Sequence, residues 1–364
     1  MRDGVSCDIF CRVVDNFGDI GVCWRLARQF ASEYGLTVRL VVDDLDSFRR
    51  LEPAVDNSER QQLVCGVTVI GWELAATIKP ACLVVEAFAV NLPAPYVAAM
   101  SELAVTPVWI NLEYLSAEPW VGEHHLLPSP HPRLPLTKFF FFPGFTTRTG
   151  GLIREASLLS KRNSWVGSDG GGNGLRVFLF GYPNVAADKL MLAMSDAGTP
   201  IRCTVPEDER VTHFGSEAGS TACVLPHLTI DTIPFVSQRD FDRLLWEHDV
   251  LFVRGEDSFV RAQWAAKPFI WQIYPQQDAA HWAKLDAFLA LYSEGLEREP
   301  SSALRQLWRA WNAGDAANIG ATWMAFVRYL PELQAHASAW SKKLAQMPDL
   351  AANLLSFYQK TIKI

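Results

Sequence analysis

The chain has 364 residues, 49% apolar and 20% charged, with a net charge of −7 and a pI near 5.7, so a nucleic-acid coat is excluded. No apolar run reaches the roughly 18 residues of a membrane span, the opening MRDGVSCDIF lacks a signal-peptide apolar region, and seven scattered cysteines without a CxxC pair fit reduced thiols. The expectation is a soluble cytoplasmic protein of about two or three domains, with neither nucleic acid nor membrane as partner.

Residues 7–14, CDIFCRVV, read as a first, central strand, and 15–19, DNFGD, as a turn. Ile20, Cys23, Trp24, Ala27, Ala31 and Tyr34 then recur at helical spacing, and 37–42 form the next strand. This β–loop–α–β opening is the start of a Rossmann-like half. Further strands are expected at 67–70, 83–86 and 108–111, while 128–145 reads as irregular and rich in Pro and Phe. Residues 163–174, NSWVGSDGGGNG, cannot form a packed element and predict a linker over 164–174. The pattern then restarts: strand 175–180, turn 181–184, a helix over about 185–197 and a strand at 201–205. The chain therefore predicts an α/β protein with two Rossmann-like domains, 1–163 and 175–339, whose sheets face a cleft with their carboxyl ends. The tail, 333–358, reads as helical, and its stripe of Leu350, Leu354, Leu355 and Tyr358 predicts docking on the body, with about 340–364 packing back on the first domain.

Three stretches could carry chemistry. In 250–263, VLFVRGEDSFVRAQ, a buried strand feeds the turn Arg254–Ser258 and then a helix, so free backbone N–H groups and a positive helix end gather at the sheet's carboxyl edge. Arg254 adds a fork for phosphate oxygens and the Ser258 hydroxyl another donor. The same residues also read as ordinary capping by Asp257 or Ser258 beside a surface Arg254–Glu256 pair. The second stretch is the DNFGD turn, where Asp15 and Asp19 lie on one loop, and Asp19 alternatively reads as an N-cap. It has no GxGxxG, which argues against dinucleotide binding in the dehydrogenase manner. The third is aromatic: Phe235, Gln238 and Phe241, with Phe180 and Tyr182, could sandwich a base or could be plain core.

Other patterns carry less. Asp44-Leu45-Asp46 spells DxD but reads as a solvated turn, and His124, His125 and His131 match no ligand spacing. No metal and no cofactor is expected, and there is no GxSxG or Walker loop.

Four segments together carry a resemblance: CRVVDNFGDIGVCWRLARQ at 11–29, FGYPN at 180–184, IPFVSQRDFDRLLW at 233–246 and RGEDSFVRAQWAAKPFIWQIYPQQDAAH at 254–281. The chain resembles the EarP family of bacterial arginine rhamnosyltransferases that modify translation elongation factor P. The resemblance implies a B-type glycosyltransferase fold using dTDP-β-L-rhamnose without metal, with inversion, and elongation factor P as acceptor, activated to relieve ribosome stalling at polyproline. Carried onto this sequence, Asp19 corresponds to the general base, and Asp15 and Glu256 to the other required carboxylates. Phe180, Tyr182, Phe235, Gln238 and Phe241 fall where the family holds thymine and ribose. Arg254, Asp257, Ser258 and Tyr274 fall where it holds the diphosphate and sugar, and Asn16, Phe17 and Gly18 sit at the sugar end. On this reading Glu256 faces the acceptor and the Arg254–Glu256 surface pair is dropped. Two rivals remain, a B-type glycosyltransferase acting on a small molecule or lipid head group, and a catalytically dead nucleotide-binding regulator, which would not need aspartate at both 15 and 19.

Overall fold

A computed structural model describes residues 4–14, 17–165, 174–207, 222–276 and 279–362. Its strands are β1 Ser6–Cys11, β2 Thr37–Val42, β3 Gln61–Val64, β4 Val67–Gly71, β5 Leu83–Ala87, β6 Val108–Leu112, β7 Pro128–Pro130, β8 Thr137–Phe141, β9 Leu175–Leu179, β10 Ile201–Pro206, β11 Ala222–Leu225, β12 Leu228–Ile233, β13 Val250–Arg254 and β14 Phe269–Gln272. The helices are α1 Gly18–Ser32, α2 Leu45–Leu51, α3 Ala94–Ser101, α4 Val121–His124, α5 Leu158–Ser164, α6 Ala187–Ser195, α7 Gln238–Glu247, α8 Asp257–Ala265, α9 Ala280–Tyr292, α10 Arg298–Ala313, α11 Ile319–Arg328, α12 Leu330–Ala345 and α13 Leu350–Thr361. Among the described residues no helix is long and apolar enough to cross a membrane. The chain divides into two compact units, one of residues 1–156 with 346–364 and one of 157–345.

The first unit holds a sheet in the order β3-β4-β2-β1-β5-β6-β8-β7, parallel except for its two outermost pairs. β5 and β6 are buried at every position, as strands covered on both faces must be. Asp8 lies fully buried in β1, yet its carboxylate is satisfied by both arms of Arg39, the Ala81 N–H and the Tyr96 hydroxyl. The stretch expected to be irregular instead yields β7 and β8. The hairpin forms because the Pro128 and Pro130 rings sit on an outermost strand, where a missing N–H costs no ladder bond, while Phe139 to Phe141 pair with β6. The first strand stops at Cys11 rather than residue 14.

The expected single helical tail is two helices of different units. Pro348 cannot continue α12, and Asp349 starts α13 by accepting the Ala352 N–H at 3.0 Å. Leu350, Leu354, Leu355 and Tyr358 are all buried, and α13 packs beside α1 within the first unit. Of the expected linker, 166–173 lie outside the described residues.

The second unit has the order β11-β12-β10-β9-β13-β14, antiparallel only at β11–β12. Its aromatic supply goes into the layer behind β13 and β14. Phe252 meets Trp311 edge-on at 5.0 Å, Phe259 stacks on Trp271 at 3.9 Å, and the Trp308 indole donates to the Phe269 carbonyl. α8 is buried along its whole length, and in the turn before it Glu256 is part-exposed while Gly255 is buried.

Candidate active site

Both sheets reverse strand order at one place. In the first unit β1 connects toward β2 on one side while β5 lies on the other; in the second unit the same holds for β9, between β10 and β13. Loops leaving the carboxyl ends at such a switch point splay apart and leave a crevice for ligand. The expected Asp19, Phe180, Tyr182 and Arg254 stand at the ends of these strands, whereas Phe235, Gln238 and Phe241 follow β12 and Tyr274 follows β14.

In the second unit the loop after β9 carries Phe180 and Tyr182, and the turn after β13 carries Arg254 to Ser258. The Arg254 guanidinium carbon sits 4.8 Å from the Phe180 ring centre and 4.7 Å from that of Tyr182. Arg254 is only 8% exposed, so it is not a surface side chain. It is a fixed cation with a desolvated stem and aromatic neighbours. The Tyr182 N–H donates to Gln272 Oε1 at 2.9 Å, and the exposed Tyr274 ring meets Tyr182 edge-on at 5.6 Å. Phe241 lies 5.5 Å from Phe180, also edge-on, and the half-buried Phe235 lies in the loop before α7.

The turn itself is rigid. Gly255 takes φ +61°, where a side chain would strain, and its carbonyl accepts the Trp271 indole N–H at 2.7 Å. The expected capping by Asp257 or Ser258 is not found: Glu256 is the N-cap. Asp257 Oδ2 instead accepts from Gln238 Nε2 at 3.1 Å and Arg261 Nε at 3.0 Å, and Arg261 also reaches Asp242 at 2.8 Å. The Ser258 hydroxyl donates its one hydrogen to the Arg254 carbonyl while accepting the Arg254 N–H. It braces the turn, so what Ser258 offers an anion is its backbone N–H, in the first turn of α8.

In the first unit, Asp15 and Asn16 lie outside the described residues. Phe17 is the N-cap of α1, and the Arg50 guanidinium lies 5.2 Å over its ring. Gly18 opens the helix. Asp19 is therefore inside the first turn and not the N-cap. Its Oδ2 accepts the Val14 N–H at 2.8 Å, and the residue is 2% exposed. The carboxylate thus folds back onto the loop that precedes it, beside the positive end of α1.

The remaining patterns are structural. Asp44 is no solvated turn residue: it caps α2 by accepting from Ser47 N at 3.0 Å, and Asp46 accepts from Asn57. His124 Nδ1 meets the Trp120 carbonyl, His125 Nδ1 accepts the Phe142 N–H and His131 Nδ1 accepts the Arg133 and Leu134 N–H groups, each in its own turn. Burial lowers the His125 pKa to about 4. Sequence reasoning missed Arg261 and Gln272. The first was visible as an Asp257–Arg261 pair at helical spacing; the second acts across two strands and left no signal.

Two Rossmann-like units, each presenting polar loops at the switch point of a parallel sheet, are the architecture of the B-type glycosyltransferases. The family model described as elongation-factor P (EF-P) rhamnosyltransferase EarP matches residues 7–359. A protein-arginine rhamnosyltransferase of Pseudomonas putida is 46% identical over 98% of this chain and 99% of its own, and one of Pseudomonas aeruginosa is 43% identical over 97% and 98%. A solved structure described as the structural basis for EarP-mediated arginine glycosylation of translation elongation factor EF-P is 34% identical, with a TM-score of 0.66 over 98% of this chain and 100% of that one. The chain belongs to the EarP family, whose enzyme class is protein-arginine rhamnosyltransferase.

Proposed function

We propose that this protein transfers L-rhamnose from dTDP-β-L-rhamnose to an arginine side chain of translation elongation factor P, with inversion at the anomeric carbon, and that the product relieves ribosome stalling at polyproline. The observation that carries the reading is the family match across 7–359, which takes in both the Asp19 loop and the Arg254 turn.

A guanidinium is a poor nucleophile, with delocalised lone pairs and a pKa above about 12. Moving its proton to an ordinary aspartate as a separate step is uphill by about nine pKa units, or roughly 12 kcal/mol. Deprotonation by Asp19 therefore accompanies attack. The guanidinium nitrogen forms a bond to the anomeric carbon, the carbon–oxygen bond to the diphosphate breaks, and the proton passes to Asp19. Asp15 and Glu256 grip the guanidinium through charge-assisted hydrogen bonds and hold one nitrogen in line. Arg254 and the first N–H groups of α8 stabilise the leaving dTDP. Phe180, Tyr182, Phe235, Gln238 and Phe241 hold the thymine and ribose, and Tyr274 with Asn16, Phe17 and Gly18 the sugar end. Asp257 contributes by fixing Gln238 against α8, at 3.1 Å.

The proposed steps use no metal ion: Arg254 and the first N–H groups of α8 take the charge of the leaving diphosphate. The test is mass spectrometry of elongation factor P incubated with this protein and dTDP-rhamnose, with and without EDTA. A deoxyhexose on one arginine in both samples is expected. An unmodified acceptor sinks the reading, and loss restored by magnesium sinks its metal-free form.

A further inference from the structure

The sheet of the second unit ends at β14, which pairs only with β13. Backbone groups alternate from side to side along a strand, so every second residue of β14 turns its N–H and C=O away from β13, and buried groups of that kind need partners. Two side chains of α10 supply them. The Trp308 indole donates to the Phe269 carbonyl at 2.8 Å. Asn312 Nδ2 donates to the Trp271 carbonyl at 2.8 Å, and Asn312 Oδ1 accepts the Ile273 N–H at 3.0 Å. Four residues of helix advance about 6 Å and two residues of strand about 6.6 Å, so side chains at i and i+4 keep step with alternate strand residues. The Asn312 amide, a donor and an acceptor in one plane, does what the peptide group of a further strand would do.

The segment clamped in this way touches the loops around Arg254 three times. The Trp271 indole holds the Gly255 carbonyl, Gln272 Oε1 accepts the Tyr182 N–H, and the Tyr274 ring meets the Tyr182 ring edge-on. Tyr182 in turn lies against the Arg254 guanidinium. Asn312 also donates to the Trp308 carbonyl at 2.9 Å, one turn back in α10, so both of its N–H groups are used and its rotamer is fixed. The same end of α10 receives the loop after β9: Asn184 Nδ2 donates to the Trp311 carbonyl at 2.8 Å while Asn184 Oδ1 accepts the Ala186 N–H at 2.9 Å.

Asparagine is a poorer helix former than alanine or leucine, and the half-buried Asn312 stands in the last turn of α10, where its amide is spent on a strand edge rather than on the helix. We propose that Asn312 is a positioning residue for donor binding. By fixing the backbone of 271–273 it sets Gln272 and Tyr274 against Tyr182, and through them the aromatic face that lies on Arg254. It acts through these groups and takes no part in the transfer itself. This inference rests on the proposed reading that the second unit holds a dTDP-sugar.

The experiment measures dTDP affinity by calorimetry, KM for dTDP-rhamnose and for unmodified elongation factor P, and melting temperature, for the wild type, Asn312→Asp, Asn312→Ala and Arg305→Ala. Asn312→Asp keeps the shape and the acceptor for Ile273 but turns an oxygen toward the Trp271 and Trp308 carbonyls. Both Asn312 variants are expected to weaken dTDP binding and raise the donor KM about tenfold, with the acceptor KM within about twofold of wild type. Arg305 braces the same helix by donating to Ser293 Oγ, so Arg305→Ala should lower the melting temperature and leave dTDP affinity unchanged. A dTDP affinity within about twofold of wild type in both Asn312 variants overturns the inference. So does an equal loss in Arg305→Ala, an equal rise in acceptor KM, or failure of both Asn312 variants to fold, which would make the residue part of the core alone. A wild-type protein that binds no dTDP overturns the underlying reading of the donor instead, so the two failures are distinct.

Discussion

The two units build their switch-point loops on one topology and put different side chains at the corresponding place. After β13 the turn presents Arg254, clasped by Phe180 and Tyr182, and makes its sharp reversal with a glycine at no steric cost. After β5 the turn is made by Phe88, Ala89 and Asn91 against their preference, and the polar groups around it are the carboxylates of Glu86 and Glu113. A buried arginine between two aromatic rings stands at the corresponding place in one unit, and carboxylates beside a ring stack in the other. The lesson is that a duplicated fold fixes where the loops lie, while the residues at the loop ends decide what they present.

The largest effect that can break this contrast is at Asp19. Asp19→Asn keeps an oxygen for the Val14 N–H but removes the proposed base, so turnover should fall by about 10²- to 10⁴-fold with dTDP affinity intact. Wild-type turnover would remove Asp19 from the chemistry. Next comes the second unit's internal brace. Arg261→Leu leaves Asp257 and Asp242 without their buried partner, and urea denaturation should show a loss of about 3 kcal/mol; unchanged stability would mean the pairing is ornamental.

Arg254→Ala tests the cationic side directly. Calorimetry should show dTDP binding weakened by about 2 kcal/mol, roughly thirtyfold, and an unaltered affinity would detach Arg254 from the diphosphate. The smallest effect concerns acid. The His125 pKa is lowered to about 4 in the fold from an ordinary 6.5, because burial disfavours its charge and Nδ1 accepts the Phe142 N–H. The unfolded chain therefore binds the extra proton first, and stability present above pH 6.5 is lost as pH falls toward 4. His125→Gln should flatten that part of the pH–stability curve, leaving whatever His248, also lowered by burial, contributes in the second unit. A curve identical to wild type would show that His125 titrates normally.

Much of this was legible in the sequence because local pattern and burial agree. The apolar run before Arg254 could only be a strand covered on both faces, and the 3.6-residue period after Ile20 could only be a helix, although α1 buries every residue from Asp19 to Ala27, Arg25 of its polar face included. Both β–loop–α openings, and the restart after the glycine-rich segment, follow from those two signals. What stayed illegible was any choice between partners. Asp19 and Ser258 both looked like caps because caps and first-turn residues share a composition; which backbone group each side chain meets depends on where the chain bends. Pro128 and Pro130 hid a hairpin because proline's meaning changes on an outermost strand. The Phe88–Tyr114 pair could not be found at all, since the two rings are brought together by the pairing of β5 with β6.

The first unit is completed by α13, which follows the whole second unit along the chain. During synthesis residues 1–156 emerge first but lack the helix that covers α1, where Gln29 Nε2 reaches Asp349 at 3.4 Å. At about 5–20 residues per second, the intervening segment imposes a delay on the order of ten to forty seconds. The second unit is uninterrupted in sequence, but its last helix, α12, runs to Ala345, so it too is complete only at the end of that interval. Neither unit can finish folding until synthesis is nearly over, and throughout the delay the nascent first unit lacks the helix that covers α1.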